Sequence, residues 1–416
     1  MDIELCPGVV DGCLAPPCSK SYAQRALAVA LLSEGESTLR NFGTCDDTLS
    51  AMKCVETLGA TIERVDDKCV KVKGGLAPKG DCLFIGESGL ATRLFTPLAS
   101  LWHSPIEITG HGSILKRPMT MMIEPLRGLG VKVEDCAGYL PFKVTGPIKG
   151  GAVNVDGSVS SQFITGLLIS LPLAAEDTVL YVDRAVSIPY LDMTIETAKG
   201  FGVEISHKEY KEFFVEGDQR YEATDFTIEG DWSAASALLV AGAVAGSVEL
   251  ECLSTLSKQA DVAICEAIVK AGAQLTSQDG AVRVVHRELH GFEFDATQCP
   301  DLFPALVALA AAAEGRTTLK GTSRLTHKES NRALTLQAEY AKVGIKVELE
   351  GDDIMIVHGG EIHSTEVDSH NDHRIAMSMA ISALRGDGKM VIKGAECVAK
   401  SYPEFFEDLR GVLTSH

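Results

Sequence analysis

The chain alternates two kinds of pattern. Stretches with apolar residues at helical spacing end in glycine, and each is followed by a short run in which apolar and polar residues alternate. In "TLSAMKCVETLGATIE" an amphipathic helix ends at Gly59, and a strand begins. The same design recurs in "TMMIEPLRGLGVKVE", "LDMTIETAKGFGVEIS", "ADVAICEAIVKAGAQLT" and "ALTLQAEYAKVGIKVE". Before each comes a small-residue helix, a Gly or acidic turn and a β-rich run, as in "LLSEGESTLRNF". A sixth copy, "SALRGDGKMVIKG" followed by "PEFFEDLRGVLT", is degenerate.

The stop glycines Gly59, Gly130, Gly202, Gly272 and Gly344 are about 70 residues apart. That is too long for a solenoid repeat and suits a compact unit of two helices and about four strands. Six such units predict an α/β protein of two domains with three repeats each, divided near "FTIEGDWSAAS". The residues ahead of the first full unit are expected to complete the later domain. The expected boundaries are therefore 1–17 plus 229–416 for one domain and 18–228 for the other. The chain would then cross between domains twice, a natural hinge.

At 416 residues there is room for two cores. A formal net charge of -19 argues against non-specific binding to nucleic acid or anionic membranes, which needs a net cationic face, but leaves room for a small anion in a locally basic site. The most apolar runs, "ASALLVAGAVAG" and "LFPALVALAAAA", are too short to span a bilayer and read as buried helices. The N-terminus lacks the pattern of a signal peptide, and the twelve cysteines contain no CxxC pair. Reduced thiols and a cytoplasmic location are expected.

Chemistry concentrates in short segments that a scaffold would not need. "SKSYAQRA" carries Lys20, Ser21 and Arg25 at a helix start; "GESGLATR" carries Gly89 and Arg93; "LKRP" carries Arg117. "GSVSSQF" sets Ser160, Ser161 and Gln162 before an apolar helix, a cap whose amides favour an anion. "SIPY" supplies Ser187 and Tyr190. The second half adds Asp301, then Lys328, Glu329 and Arg332 in "HKESNR", then Asp372, His373 and Arg374 in "NDHR", and Lys400 in "AKSYP". Singly, each has a plain explanation: a solvated charge, a helix cap, or an exposed face shared by Lys328 and Arg332. Their recurrence at corresponding places in the repeats weakens those explanations.

Together "SKSYAQRA", "DGSVSSQF", "HKESNR", "NDHRIAM" and "AKSYPEFF" resemble, in order and spacing, the motifs of the 5-enolpyruvylshikimate-3-phosphate synthase family. The resemblance implies a two-domain inverse α/β barrel of six βαβαββ-type repeats, with the active site in the cleft between the domains. It implies transfer of the enolpyruvyl group of phosphoenolpyruvate to the 5-hydroxyl of shikimate 3-phosphate, by addition and elimination, in aromatic amino-acid biosynthesis. It also implies a monomer that needs no cofactor or metal. Lys20, Ser21, Arg25, Ser160, Ser161, Gln162, Ser187, Tyr190, Asp301 and Lys328 would hold shikimate 3-phosphate. Lys20, Gly89, Arg93, Arg117, Gln162, Arg332, Arg374 and Lys400 would hold phosphoenolpyruvate. Asp301 would be the base and Glu329 the acid, Lys20 would offset developing charge, and His373 is a secondary proton-transfer candidate.

The motifs depart from the family pattern in places. Cys18 stands where glycine is usual, and Glu87, Leu90 and Leu94 alter the loop before Arg93. Arg324 stands where the familiar bacterial form has Asn, so Glu87 and Arg324 are a candidate compensating pair. The altered loop implies changed, reduced inhibition by glyphosate, a phosphoenolpyruvate mimic. Two rival readings are a UDP-N-acetylglucosamine enolpyruvyl transferase and an inactive ligand-binding scaffold of the same fold. Against the first, Ser113 stands where that sister family has its reactive cysteine; against the second, a scaffold needs neither Asp301 nor Glu329.

Overall fold

The computed structural model describes residues 1–326 and 328–414. The chain divides into two compact units: an inserted unit, Cys18–Ile228, and a terminal unit made of Met1–Pro17 with Glu229–His416.

The inserted unit repeats one sheet three times. Glu36–Arg40 pairs parallel with Asp225–Thr227 and antiparallel with Cys69–Lys73, which pairs antiparallel with Thr61–Asp66. Ile106–Thr109 stands at the same place in the second sheet and Thr178–Asp183 in the third, each with one parallel and one antiparallel neighbour. Helices α1 (Lys20–Leu32), α2 (Asp46–Thr57), α3 (Gly89–Ala99), α4 (Thr120–Gly128), α5 (Gln162–Ser170) and α6 (Pro189–Gly200) complete the repeats. α3 is buried along its whole length, and α1 and α5 nearly so, whereas α2, α4 and α6 bury one side. The unit is thus an inverted barrel, with apolar helices inside and sheets and amphipathic helices outside. Gly166 lets α5 approach α3, because a Cβ there would fall 2.4 Å from the Arg93 carbonyl oxygen.

The terminal unit holds α7 (Trp232–Ala245), α8 (Ile264–Lys270), α9 (Phe303–Ala311), α10 (Arg332–Lys342), α11 (His373–Ala383) and α12 (Phe405–Gly411). Here α9 and α11 are wholly buried and α7 nearly so, and the three pack on one another. The N-terminal residues join two of its sheets: Val9–Leu14 lies parallel to Gly246–Leu250, and Ile3–Leu5 antiparallel to Met390–Lys393. The sixth sheet has three strands, matching the degenerate last copy in the sequence.

All five stop glycines have positive φ, between 84° and 128°. Each is followed by a residue whose N–H reaches the carbonyl five positions back: Ala60 to Val55, Val131 to Leu126, Val203 to Ala198, Ala273 to Ile268 and Ile345 to Tyr340. This is the Schellman closure, which satisfies helix-end carbonyls and turns the chain into the next strand. No described helix is long and apolar enough to cross a membrane.

Candidate active site

The buried helices of both units begin at the segments that carry chemistry. α1 starts at Lys20, α3 at Gly89, α5 at Gln162, α7 beside Ser233, α9 just after Asp301, and α11 at His373. Helix starts present amide N–H groups and the positive end of the backbone dipole, so this placement favours anions.

In the inserted unit, the Ser19 hydroxyl caps α1 by accepting from the Tyr22 amide at 3.4 Å. Lys20 pairs with Asp47, at the start of α2, at 2.9 Å. Arg25 lies one turn further along and is buried. Its guanidinium donates to the Thr194 hydroxyl at 3.0 Å, the Thr165 hydroxyl at 3.2 Å, and the carbonyls of Ser21 and Tyr190 at 2.8 and 3.1 Å. Burial among these neutral oxygens lowers its pKa to about 10. Ser187 is buried with φ +54°, and the half-buried Tyr190 opens α6.

A second group forms around Gly89. Arg93 and Arg117 are both buried. A Cβ on Gly89 would fall 2.9 Å from Arg117 Nη1, 3.0 Å from Arg93 Nη1 and 3.6 Å from Gln162 Oε1. Arg93 donates to Gln162 Oε1 at 2.9 Å and to the Gly89 carbonyl at 3.3 Å, both neutral. Burial first, and Arg117 second, lower its pKa to about 10. Two adjacent buried cations over a bare backbone make a site for an anion. Of the two serines that the sequence places before α5, Ser160 accepts from the Gln162 amide through its Oγ, at 3.2 Å, and Ser161 makes no side-chain cap bond.

Three positions that depart from the family pattern acquire surroundings. Cys18 is buried and its Sγ accepts from the Gly43 amide at 2.9 Å, so this turn is closed by sulfur. Glu87 accepts from the Ser113 hydroxyl at 3.3 Å, and a Cβ on Gly112 would run into its carboxylate. Arg324, in the terminal unit, donates to the Thr297 carbonyl at 3.1 Å.

The terminal unit gathers the rest into one network. Arg332 Nη1 donates to Asp301 at 2.7 Å, Nη2 to Glu329 at 2.6 Å, and Nε to Asp372 at 2.8 Å. Lys328 donates to Asp301 at 3.0 Å, and Lys400 lies 3.3 Å from Glu329. Arg374 Nη2 lies 3.9 Å from Asp301. Buried His373 sits beside Asp372, with Nδ1 3.9 Å from a carboxylate oxygen. Lys328 and Arg332 are therefore not an exposed helix face. Lys328 precedes α10, and both are held by Asp301.

Charge sets the protonation states. Burial alone would raise the Asp301 carboxyl, but Lys328, Arg374 and Arg332 outweigh it and hold the group well below the usual carboxylate range, against Glu329. Burial would likewise discharge Arg332, yet Asp372, Glu329 and Asp301 keep it firmly protonated. For Lys328, burial prevails over Asp301 and lowers the ammonium pKa. The network offers carboxylates as proton carriers and cations that can exchange a carboxylate for a substrate anion.

Sequence reasoning gives no role to Asp47, Ser233 or Asp261, and leaves Asp372 unassigned within "NDHR". Asp47 had a weak signal, two carboxylates opening a helix. Ser233 and Asp261 had none, since contact alone brings them to Arg374.

The chain matches the family profile described as EPSP synthase (3-phosphoshikimate 1-carboxyvinyltransferase) over residues 6–409. It is 35% identical to the 3-phosphoshikimate 1-carboxyvinyltransferase of Clostridium acetobutylicum, over 98% of this chain and 96% of that one. It is 39% identical to the protein of the same name from Thermococcus kodakarensis, over 97% and 98% of the two chains. Among solved structures, an EPSP synthase from Acinetobacter baumannii is similar with a TM-score of 0.84 and 28% identity, covering 99% of this chain and 98% of that one.

Proposed function

Because the chain belongs to the EPSP synthase family, we propose that it transfers the enolpyruvyl group of phosphoenolpyruvate to the 5-hydroxyl of shikimate 3-phosphate. The products are 5-enolpyruvylshikimate 3-phosphate and inorganic phosphate. The observation that carries this reading is the pair of buried guanidiniums over Gly89, with Arg93 bonded to neutral oxygens, in a chain of net charge -19. Burial first, and Arg117 second, disfavour the charge on Arg93, and a dianionic substrate held over the pair offsets both.

On this reading Lys20, Ser21, Arg25, Ser160, Ser161, Gln162, Ser187, Tyr190, Asp301 and Lys328 hold shikimate 3-phosphate, and Arg25 also fixes Tyr190 and Thr165. Arg93, Arg117, Gln162 and the Gly89 backbone hold phosphoenolpyruvate, with Lys20, Arg332, Arg374 and Lys400. Each charge-assisted contact contributes roughly 1.5–3 kcal/mol.

The chemistry follows from the carboxylates. The 5-hydroxyl oxygen bonds to C2 of phosphoenolpyruvate while its proton passes to Asp301, and Glu329 protonates C3. In the elimination the ionised Glu329 takes a proton from the new methyl group of the tetrahedral ketal phosphate as the C2–O bond to phosphate breaks, and the departing phosphate takes the proton that Asp301 holds. Asp301 ringed by cations is a poor base. Substrate anions that draw Lys328, Arg332 or Arg374 away raise its proton affinity, so the base becomes competent when both substrates are present. Holding both substrates together contributes an effective molarity of order 10⁵–10⁸ M. His373, beside Asp372, is a secondary route for the proton.

The curated relatives carry the shikimate 3-phosphate activity in their names, which favours that acceptor over UDP-N-acetylglucosamine. A cytoplasmic monomer completes the reading, and the twelve cysteine thiols suit a reducing compartment. The test is phosphate release from phosphoenolpyruvate with shikimate 3-phosphate, with UDP-N-acetylglucosamine, or with neither. Release with shikimate 3-phosphate alone is expected. Release with the nucleotide sugar, or with neither acceptor, contradicts the proposal.

A further inference from the structure

Resting on the proposed function, we propose that Asp261 is a positioning residue for phosphoenolpyruvate: through Ser233 it fixes the Arg374 guanidinium in the orientation that receives the substrate's anionic group.

Three elements meet to form this relay. Asp261 lies in the short helical turn Ala260–Ala263 that leads into α8, Ser233 is the second residue of α7, and Arg374 is the second residue of α11. Ser233 Oγ lies 2.5 Å from Asp261 Oδ2, and Arg374 Nη2 lies 2.6 Å from the same Ser233 oxygen. Arg374 Nη1 also reaches the Ser233 carbonyl, at 3.4 Å.

The direction of the chain follows from donor counting. A serine hydroxyl has one proton. An ionised carboxylate can only accept, so that proton goes to Asp261. The lone pairs of Ser233 are then left to accept from Arg374, which can only donate. Asp261 therefore sets the polarity of a hydroxyl that would otherwise rotate. If Asp261 is neutral, its own proton competes for Ser233 Oγ, and the serine proton can turn toward the guanidinium.

The place of the relay makes it functional rather than only structural. The carboxylate is 2% exposed, and a buried charge of this kind is costly unless it serves another group. Among the described residues, the charged and titratable groups facing it include Asp301, Arg374, Asp231, the cap of α7, and the buried Cys299 thiol. Burial first, and Asp301 second, raise its pKa to about 6, against Arg374 and Ser233. Its charge thus changes in a range where the enzyme can be assayed. Asp301 itself is 3.9 Å from Arg374, so a misplaced guanidinium also disturbs the proposed base.

The experiment measures kcat and both KM values for wild type, Asp261→Asn, Ser233→Ala, Ser233→Thr and the Asp261→Asn/Ser233→Ala double variant, from pH 5 to 8. Ser233→Ala is expected to raise the KM for phosphoenolpyruvate about tenfold, the loss of one charge-assisted bond. The KM for shikimate 3-phosphate should stay within about twofold, and Ser233→Thr, which keeps the hydroxyl, should restore most of the loss. The double variant should be no worse than Ser233→Ala, because both changes break one chain. The ratio of phosphoenolpyruvate KM values, Asp261→Asn over wild type, should be largest above the pKa of about 6 and approach unity below it. That ratio cancels the titration of the substrate.

A ratio independent of pH, multiplying effects in the double variant, or equal rises in both KM values overturns the relay. Asp261→Asn is isosteric and keeps the test open if Ser233→Ala does not fold. Wild-type turnover in the same assay separates the two claims. Without it the proposed function falls; with it, unaltered variants overturn the relay alone.

Discussion

Gly89 and Arg117 stand so close that a single methyl group on the glycine would lie 2.9 Å from the guanidinium. Arg93 is 3.0 Å from the same point, so the methyl would occupy the space above both cations. Gly89→Ala is therefore expected to raise the KM for phosphoenolpyruvate at least tenfold with little change in folding stability. Steady-state kinetics beside a urea melt check this; an unaltered KM would place the substrate elsewhere.

Arg25 makes a different contribution. Its guanidinium ties α1 to α5 and α6 through Thr165, Thr194 and the Tyr190 carbonyl. Lysine cannot reproduce that fork. Arg25→Lys is expected to cost about 1–3 kcal/mol of stability, the penalty for leaving buried acceptors unpaired. Denaturant unfolding measures it, and a change below about 0.5 kcal/mol, ordinary for surface substitutions, would contradict the assignment.

Asp301 links catalysis to acid stability. Its carboxyl is held well below the usual range in the folded protein by Lys328, Arg374 and Arg332, although burial opposes them. A depressed folded pKa contributes stability that is fully present above the unfolded value, about 3.9, and is lost as pH falls through the folded one. Asp301→Asn should therefore abolish turnover by a factor of order 10² or more. Its stability deficit should be constant above pH about 4 and shrink below it. A deficit that grows on acidification would mean that the cations do not hold this group.

The stop glycines offer a test of the repeat itself. Gly202 has φ +85°, and a Cβ there would meet only the Glu222 side chain at 3.4 Å, an ordinary contact. Gly202→Ala is then limited by backbone strain, expected at about 1–2 kcal/mol. A thermal melt that shows no loss would mean that the Schellman turn relaxes.

Much of this was legible in the sequence because it is local. The helix-stop glycines fix turns through their own φ angles, the recurring apolar spacing marks the helices that bury one side, and the unbroken small and apolar runs mark buried ones. "HKESNR" and "NDHR" concentrate charge beyond what a surface requires, so Glu329, Arg332 and Arg374 could be singled out. What the sequence could not show depends on contacts far along the chain. Asp47 meets Lys20 across 27 residues, and Arg374 meets Ser233 across 141. Ser160 rather than Ser161 caps α5 because the backbone of Ser161 is already helical, with φ -72° and ψ -10°, a detail that spacing alone does not set.

The central claim is that phosphoenolpyruvate loses its phosphate by passing its carbon skeleton to the 5-hydroxyl of shikimate 3-phosphate. Phosphorus NMR of the purified protein with both substrates follows it directly. The account expects the phosphoenolpyruvate signal to fall and inorganic phosphate to rise one for one. The ester phosphorus should remain, shifted to that of a new enol ether product. Phosphate released while the shikimate 3-phosphate signal stays unchanged, or no release at all, would contradict it.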